Sequence, residues 1–278
     1  MTWLQCTAPR PDAQRRLVCF PHEGGVASFF ARWADRLPGT EVHAVCYPGR
    51  AERGGEPCAT DVHLLAGDIA RAVSPLADRP LALFGHSLGA WIAFETARSL
   101  ARAGVAVSHL FASGARAPQT RTAPQTRTAP GTGTDPRTRT APRSGGGPDD
   151  GRGLAGCGDG ELAAVLDGGV AELLAEPVLL KLVFPYVEAD ARMADGYVHR
   201  PGPLLDCPVT TLVGAGDPVV TAEDAAAWAH QTRGTHSGHT LPGRHHYLAA
   251  HPPLALVRQM LDAAASDPGR PGPPLHHR

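Results

Sequence analysis

The feature that most constrains this fold is a Gly-x-Ser-x-Gly turn at residues 85–89. It follows a buried-strand pattern at 81–84 and opens a helical pattern that runs from 88 to 102. A strand that passes through a sharp turn into a helix lifts the serine side chain above the end of the strand. The two glycines permit so sharp a turn because they lack a Cβ atom. Ser87 is therefore a candidate nucleophile, and the Leu88 amide at the helix N-terminus is a candidate donor to an oxyanion.

Apolar runs and amphipathic stretches alternate around this turn. The patterns predict strands at 17–20, 41–47, 81–84, 105–113 and 208–213, and helices at 26–37, 61–76, 88–102, 222–230 and 253–264. Such alternation is typical of a parallel sheet with helices on both faces. A chain of 278 residues, 42% of them hydrophobic, is long enough for one well-buried domain. We therefore expect a single α/β domain over residues 1–278 with a mostly parallel, doubly wound sheet.

The alternation breaks at residues 118–153, whose apolar side chains, proline aside, are three alanines. The motif QTRTAP occurs there twice in tandem. Such a segment cannot bury enough apolar area to offset the entropy of ordering it, so we predict a disordered low-complexity insertion. A basic arm for an acidic partner is the alternative. Helical patterns without a strand at 160–200 predict a small helical lid, and the Pro/Gly-rich residues 266–278 predict a flexible tail.

A serine alcohol becomes a nucleophile when a base removes its proton, and a carboxylate orients that base. Asp217 follows the predicted strand at 208–213, which places it at the carboxyl edge of the sheet. Glu223 and Asp224 lie farther along, at the start of a predicted helix, and are weaker candidates. The order of serine, then acid, then histidine is that of the α/β-hydrolase fold, which we predict here.

Four histidines follow the candidate acid in the region where this fold places its base: His236, His239, His245 and His246. The last two lie in a loop between an extended stretch and the final predicted helix. Chemistry alone does not separate His245 from His246. The cluster has no His-x₃-His pair and no accompanying cysteine, so we expect no metal and no cofactor.

These residues together resemble the type II thioesterases of polyketide and nonribosomal peptide assembly lines. The resemblance covers nearly the whole chain except the insertion and the tail. Its motifs are the F-P-H-x-G-G loop at 20–25, Y-P-G-R at 47–50, G-H-S-L-G-A at 85–90, the segment leaving the lid at 197–209, the aspartate turn at 216–219 and the histidine loop at 242–248. This ordered set is far more specific than the serine turn alone.

The resemblance implies a catalytic set of Ser87, Asp217 and His245, with the backbone amides of Glu23 and Leu88 as oxyanion donors. It implies hydrolysis of acyl groups from the phosphopantetheine arm of an acyl or peptidyl carrier protein, which restores a stalled synthase. Two charges depart from the family pattern, because Glu23 replaces a small residue and Arg244 replaces a glycine. We expect these two side chains to form an ion pair across the mouth of the site, unless each points into water.

Three competing functions remain open: a generic carboxylesterase, an acyltransferase, and a carrier-protein-binding module without catalysis. A formal net charge of −1 gives no reason to expect nucleic acid binding. No apolar run approaches the roughly 18 residues of a membrane helix, so we expect no membrane association. The N-terminal segment has no signal-peptide pattern, and we therefore expect a cytoplasmic location. We also expect a monomer.

Overall fold

The computed structural model describes residues 2–120 and 177–265, and within them seven strands form one sheet. Along the sheet the order is β1-β3-β2-β4-β5-β6-β7, where β1 pairs antiparallel with β3 and every other neighbouring pair is parallel. The mostly parallel sheet predicted from the sequence is therefore correct. The strands are β1 (Leu4–Gln5), β2 (Arg15–Phe20), β3 (Thr40–Val45), β4 (Leu81–His86), β5 (His109–Ser113), β6 (Val209–Gly214) and β7 (His236–Leu241).

Helices cover both faces of the sheet. Side chains alternate along β2, so Val18 and Phe20 join a core with the first two helices, while Leu17 and Cys19 face the last helix. No helix in residues 2–120 or 177–265 is long and apolar enough to cross a membrane. The α-helices are α1 (Val62–Val73), α2 (Leu88–Arg102), α3 (Pro177–Gly196), α4 (Ala222–Ala226) and α5 (Leu254–Ala265).

The helix predicted at 26–37 is instead two short 3₁₀ helices, Ala27–Phe30 and Ala34–Arg36. Aromatic side chains are only moderate helix formers, and here their packing determines the local backbone. The Trp33 ring packs edge-on against Phe84 with ring centroids 4.8 Å apart. The amide of Trp33 donates to the Phe30 carbonyl, which is the tighter 3₁₀ spacing.

Order continues three residues past the predicted start of the insertion. Residues Pro118–Thr120 form a 3₁₀ helix, and Gln119 Nε2 donates to the Ala227 carbonyl at 2.8 Å. The remainder of the predicted insertion, the predicted lid before 177 and the predicted tail lie outside the described residues. The described part of the lid region is one helix of 20 residues that contains Pro185, where the pattern suggested shorter helices.

The parallel arrangement collects four loops at one edge of the sheet. The loop after β2, the Ser87 turn after β4, the Asp217 turn after β6 and the histidine loop after β7 all follow carboxyl ends of neighbouring or near-neighbouring strands. This edge is where open α/β sheets bind their ligands.

Candidate active site

Ser87 lies at a strained turn between β4 and α2. Its φ of 52° and ψ of −123° fall where non-glycine residues are rare. The Ser87 amide donates to the Ser113 carbonyl at 2.8 Å, which ties the turn to β5. A Cβ on Gly85 would lie 2.2 Å from the Gly89 carbonyl oxygen, so the sharp turn requires glycine there. The strain is held by surrounding structure, as is common at functional sites.

Three side chains predicted from the sequence come together at this turn. His245 Nε2 lies 3.1 Å from Ser87 Oγ, and His245 Nδ1 lies 2.8 Å from Asp217 Oδ2. The other carboxylate oxygen of Asp217 accepts the amides of Val219 and Val220 at 2.8 and 3.1 Å. Burial opposes ionisation of Asp217, but the hydrogen bonds from His245 and two backbone amides outweigh burial and lower its pKa. This geometry allows proton transfer from serine to a histidine that an ionised carboxylate orients.

The remaining candidates lie elsewhere. The His246 ring packs against His22 and His86, with ring centroids 5.1 and 5.7 Å away, so His245 is the histidine beside Ser87. Asp224 forms a capping box with Thr221 at the start of α4. The geometry thus separates two histidines that the sequence left equivalent.

The loop after β2 lies directly against the Ser87 turn. A Cβ on Gly89 would meet the carbonyl oxygens of Phe20 and Pro21 at 2.4 Å, so the start of α2 touches this loop. Within the loop, the Gly25 amide donates to the His22 carbonyl at 2.9 Å and closes a tight turn around Glu23. Leu88 is the first residue of α2, where amides have no intrahelical acceptor. Two backbone segments able to supply oxyanion donors therefore flank Ser87.

Comparison with known proteins identifies the family of the chain. Residues 15–263 match the family model of the thioesterase domain. The chain belongs to the thioesterase family. It is 38% identical over 251 residues to Thioesterase PikA5 of Streptomyces venezuelae (88% of this chain, 80% of the relative) and 30% identical over 248 residues to the gramicidin S biosynthesis protein GrsT of Aneurinibacillus migulanus (88% of each).

The type II thioesterase BorB of the borrelidin biosynthetic cluster is similar in structure as well. Its TM-score is 0.75 at 33% identity, over 93% of this chain and 97% of BorB. These findings confirm the resemblance drawn from the sequence motifs and the α/β-hydrolase fold. The protein is a thioesterase, a hydrolase that acts on thioester bonds.

A buried polar chain underlies the active site of this thioesterase and was not predicted from the sequence. His86 Nδ1 contacts Ser113 Oγ at 2.8 Å, and Ser113 Oγ contacts the Tyr247 hydroxyl at 2.5 Å. Burial, with the neighbouring histidines, lowers the pKa of His86 well below its usual value and that of His22 to about 3. Both imidazoles are therefore neutral at physiological pH. These hydrogen bonds link the ends of β4 and β5 to the loop that carries His245. The one feature of the sequence that pointed to them was Tyr247, two residues after His245.

The ion pair predicted between Glu23 and Arg244 was wrong. No contact joins the two side chains in the described part of the chain. Glu23 interacts electrostatically with Asp190 and Asp195 on α3 and with Arg50, and its Oε1 is buried without a hydrogen-bond partner. Arg244 is exposed. Adjacent loops thus send these two side chains in different directions.

Glu23 is mostly protonated near pH 7 in the folded thioesterase. Burial first, then Asp190 and Asp195, raise its pKa to about 8, while Arg50 opposes them. A neutral carboxyl group places no negative charge beside the candidate oxyanion donor in the loop after β2 (residues 21–25), which we call the oxyanion loop. The replacement of a small residue by glutamate is thereby compatible with anion stabilisation at this position.

We expect the kcat of the wild-type enzyme to fall as pH rises above about 8, because ionised Glu23 opposes the developing oxyanion. At about 5 Å and an effective dielectric near 20, the opposition reaches about 3 kcal/mol, or about a hundredfold in rate. The Glu23→Gln variant should lack this decline. The measurement is kcat against pH for both proteins with a small thioester, corrected for spontaneous hydrolysis.

The same ionisation should appear in stability. The folded-state pKa of Glu23 lies above its unfolded value of 4.5, so its stabilising contribution is complete below about pH 4.5 and is lost as pH rises through about 8. Urea unfolding of wild type should show this decline, and Glu23→Gln should show a flatter profile. Identical pH profiles in both proteins, for rate and for stability, would contradict the assignment.

Proposed function

We propose that this thioesterase releases acyl groups from the phosphopantetheine arm of acyl or peptidyl carrier proteins, and so frees stalled polyketide or nonribosomal peptide synthases. The arrangement of Ser87, His245 and Asp217, with separations of 3.1 and 2.8 Å, carries this proposal. Its similarity to the gramicidin S biosynthesis protein GrsT and to BorB of the borrelidin biosynthetic cluster supports the biosynthetic setting. We further propose that it works in the cytoplasm as a monomer.

The proposed reaction has two halves. His245 Nε2 takes the proton of Ser87 as Oγ attacks the thioester carbonyl, and the amides of Glu23 and Leu88 hold the oxyanion. The C–S bond then breaks, and His245 returns the proton to the leaving thiolate, which departs as the free pantetheine thiol. His245 next deprotonates a water that attacks the acyl-serine. Collapse of that second intermediate releases the carboxylic acid and restores the Ser87 hydroxyl.

Asp217 acts through His245 in both halves. Its carboxylate keeps the proton of the neutral imidazole on Nδ1, so that Nε2 is free to accept from Ser87, and it stabilises the imidazolium that forms. We propose that the predicted lid at 160–200 covers the acyl chain. Its described helix α3 packs on the oxyanion loop, where Asp190 accepts the Gly24 amide at 2.9 Å.

The test compares one acyl group presented in three ways: on the arm of a carrier protein, on N-acetylcysteamine, and as an ethyl ester. We expect kcat/KM to be at least about tenfold higher for the carrier-bound thioester than for the small thioester, because remote binding energy contributes. Unloaded carrier protein that lacks the arm serves as the control for binding of the protein surface alone.

Each competing function gives a different outcome. A preference for the ethyl ester would indicate a carboxylesterase. Capture of the acyl group by an added alcohol or amine faster than by water would indicate an acyltransferase. Carrier-protein binding without release of the acid would indicate a binding module.

A further inference from the structure

A fully buried ion pair joins α3 to the Y-P-G-R turn. Arg50 is 4% exposed and Asp190 1% exposed. The two guanidinium nitrogens contact the two carboxylate oxygens at 2.6 and 2.5 Å, which is the bidentate geometry. Burial disfavours the charged guanidinium, but Asp190 outweighs burial and raises the pKa of Arg50. The guanidinium carbon also lies 4.7 Å from the ring centroid of Tyr186, a cation–π distance.

The same two side chains hold the backbone of the oxyanion loop. Asp190 Oδ2 accepts the Gly24 amide at 2.9 Å, and Arg50 Nη1 donates to the Gly25 carbonyl at 3.1 Å. On the other side of Glu23, the Tyr47 hydroxyl donates to the Pro21 carbonyl at 3.1 Å. The peptide that carries the Glu23 amide is therefore tethered on both sides.

This loop is only partly fixed by its own contacts. The Gly25 amide donates to the His22 carbonyl at 2.9 Å, but Gly24 has a φ of 71° and neither glycine offers a side chain for packing. The two consecutive glycines therefore leave part of the direction of the Glu23 amide to external contacts. A catalytic amide must be held within a fraction of an ångström of its productive position.

We propose that Arg50 and Asp190 are positioning residues that aim the Glu23 amide at the oxyanion and make this aim depend on the docking of α3. Asp190 lies on α3, whereas Arg50 lies in the turn after β3. The oxyanion loop therefore has both of its side-chain tethers only when α3 is docked. The proposal rests on the proposed function, because it assigns the Glu23 amide an oxyanion. It adds two residues that act through the loop and do not touch substrate.

The first test uses Asp190→Asn and Arg50→Lys, with Glu41→Gln as the matched control. Glu41 also pairs with an arginine, Arg16 at 2.9 Å, but at the amino ends of β2 and β3, opposite the active site. Each variant is assayed with an N-acetylcysteamine thioester. Each is also titrated with n-octyl boronic acid, which forms a tetrahedral adduct on serine, and with a non-hydrolysable thioether analogue of the substrate.

We expect Asp190→Asn and Arg50→Lys each to lower kcat about 10- to 100-fold and to raise the Ki of the boronic acid by a similar factor. This effect approaches the loss of kcat that follows removal of an oxyanion donor. The KM and the Ki of the thioether should change by less than about threefold, because those states carry no oxyanion. Glu41→Gln should leave all four quantities within about threefold. A loss of folded fraction would raise the Ki of the boronic acid and the Ki of the thioether by the same factor, so a merely structural role leaves their ratio unchanged.

Glu23 requires one further control, because Arg50 freed from Asp190 has a second carboxyl group nearby. Repeating Asp190→Asn in a Glu23→Gln background prevents a new Arg50–Glu23 pair, and the boronic acid effect should be at least as large there. If Asp190→Asn does not fold, Arg50→Lys decides alone.

An unchanged boronic acid Ki in folded Arg50→Lys and Asp190→Asn would overturn the positioning role. An equal rise of the boronic acid Ki in Glu41→Gln would also overturn the positioning role. A wild-type protein that neither hydrolyses the thioester nor binds the boronic acid would overturn the proposed function first, which is a distinguishable result.

Discussion

Replacing Ser87 with alanine should lower kcat for a carrier-bound thioester by about 10⁴- to 10⁶-fold, with little change in the affinity for the carrier protein. The variant loses the hydroxyl oxygen that lies 3.1 Å from His245 Nε2, so no acyl-enzyme forms. The measurements are single-turnover release of the acid and intact-protein mass spectrometry of the acyl adduct. Wild type should show the adduct early in turnover, and Ser87→Ala should show none.

The fold should survive this substitution. The turn is tied to β5 through the Ser87 backbone amide, and alanine adds no atom to a strained position. Ser99 on α2 offers the matched control, because its hydroxyl accepts a hydrogen bond from Arg102 of the same helix, at the helix surface. Ser99→Ala should retain kcat within about threefold. Near-native turnover of Ser87→Ala would show that another group is the nucleophile.

The parts of the site that lie within one stretch of sequence were predictable. The turn at 85–89 carries its own glycines, its strand and its helix, so Ser87 and Leu88 followed from local pattern. Asp217 was preferred as the acid because it follows a predicted strand. The parallel order of the strands brings it to the same edge of the sheet as Ser87. Local pattern and the chain order of the α/β-hydrolase fold were sufficient for these positions.

Contacts between distant segments were not predictable in the same way. Arg50 and Asp190 are 140 positions apart, and no local sequence pattern around either residue indicates that it pairs with the other. The Glu23–Arg244 prediction relied on opposite charges in neighbouring loops, and it failed because loop proximity does not set side-chain direction. The 26–37 region shows the same limit, since contacts of Trp33 with Phe84 on β4 decide its backbone.

The choice between His245 and His246 illustrates a third kind of limit. Both are imidazoles in one loop, so composition and spacing treat them alike. Adjacent residues point in different directions, and only the backbone path after β7 decides which ring meets Ser87. Resemblance to the thioesterase family supplied this assignment before the geometry did.

Replacing Asp217 with asparagine should lower kcat by about 10⁴-fold, more than a simple loss of charge suggests. The reason is the fixed orientation of the side chain. The Val219 and Val220 amides donate to Oδ1, so the asparagine oxygen must occupy that position and its NH₂ group must face His245 Nδ1. An N–H donor there forces the imidazole proton onto Nε2. His245 then presents a hydrogen to Ser87 and cannot accept the serine proton.

This tautomer argument separates Asp217→Asn from Asp217→Ala. Alanine removes the acceptor without imposing the wrong tautomer, so added formate should restore part of the activity of Asp217→Ala and none of that of Asp217→Asn. The ¹⁵N chemical shifts of labelled His245 should place the proton on Nδ1 in wild type and on Nε2 in Asp217→Asn. Asp224→Asn is the matched control: it removes the negative charge from the capping box at the start of α4 and should slightly reduce stability while leaving kcat within about threefold. A large loss of kcat in Asp224→Asn, together with an active Asp217→Asn, would assign the role of the acid to Asp224. The carboxylate that orients the base is the one whose replacement by an amide traps the wrong tautomer of the histidine.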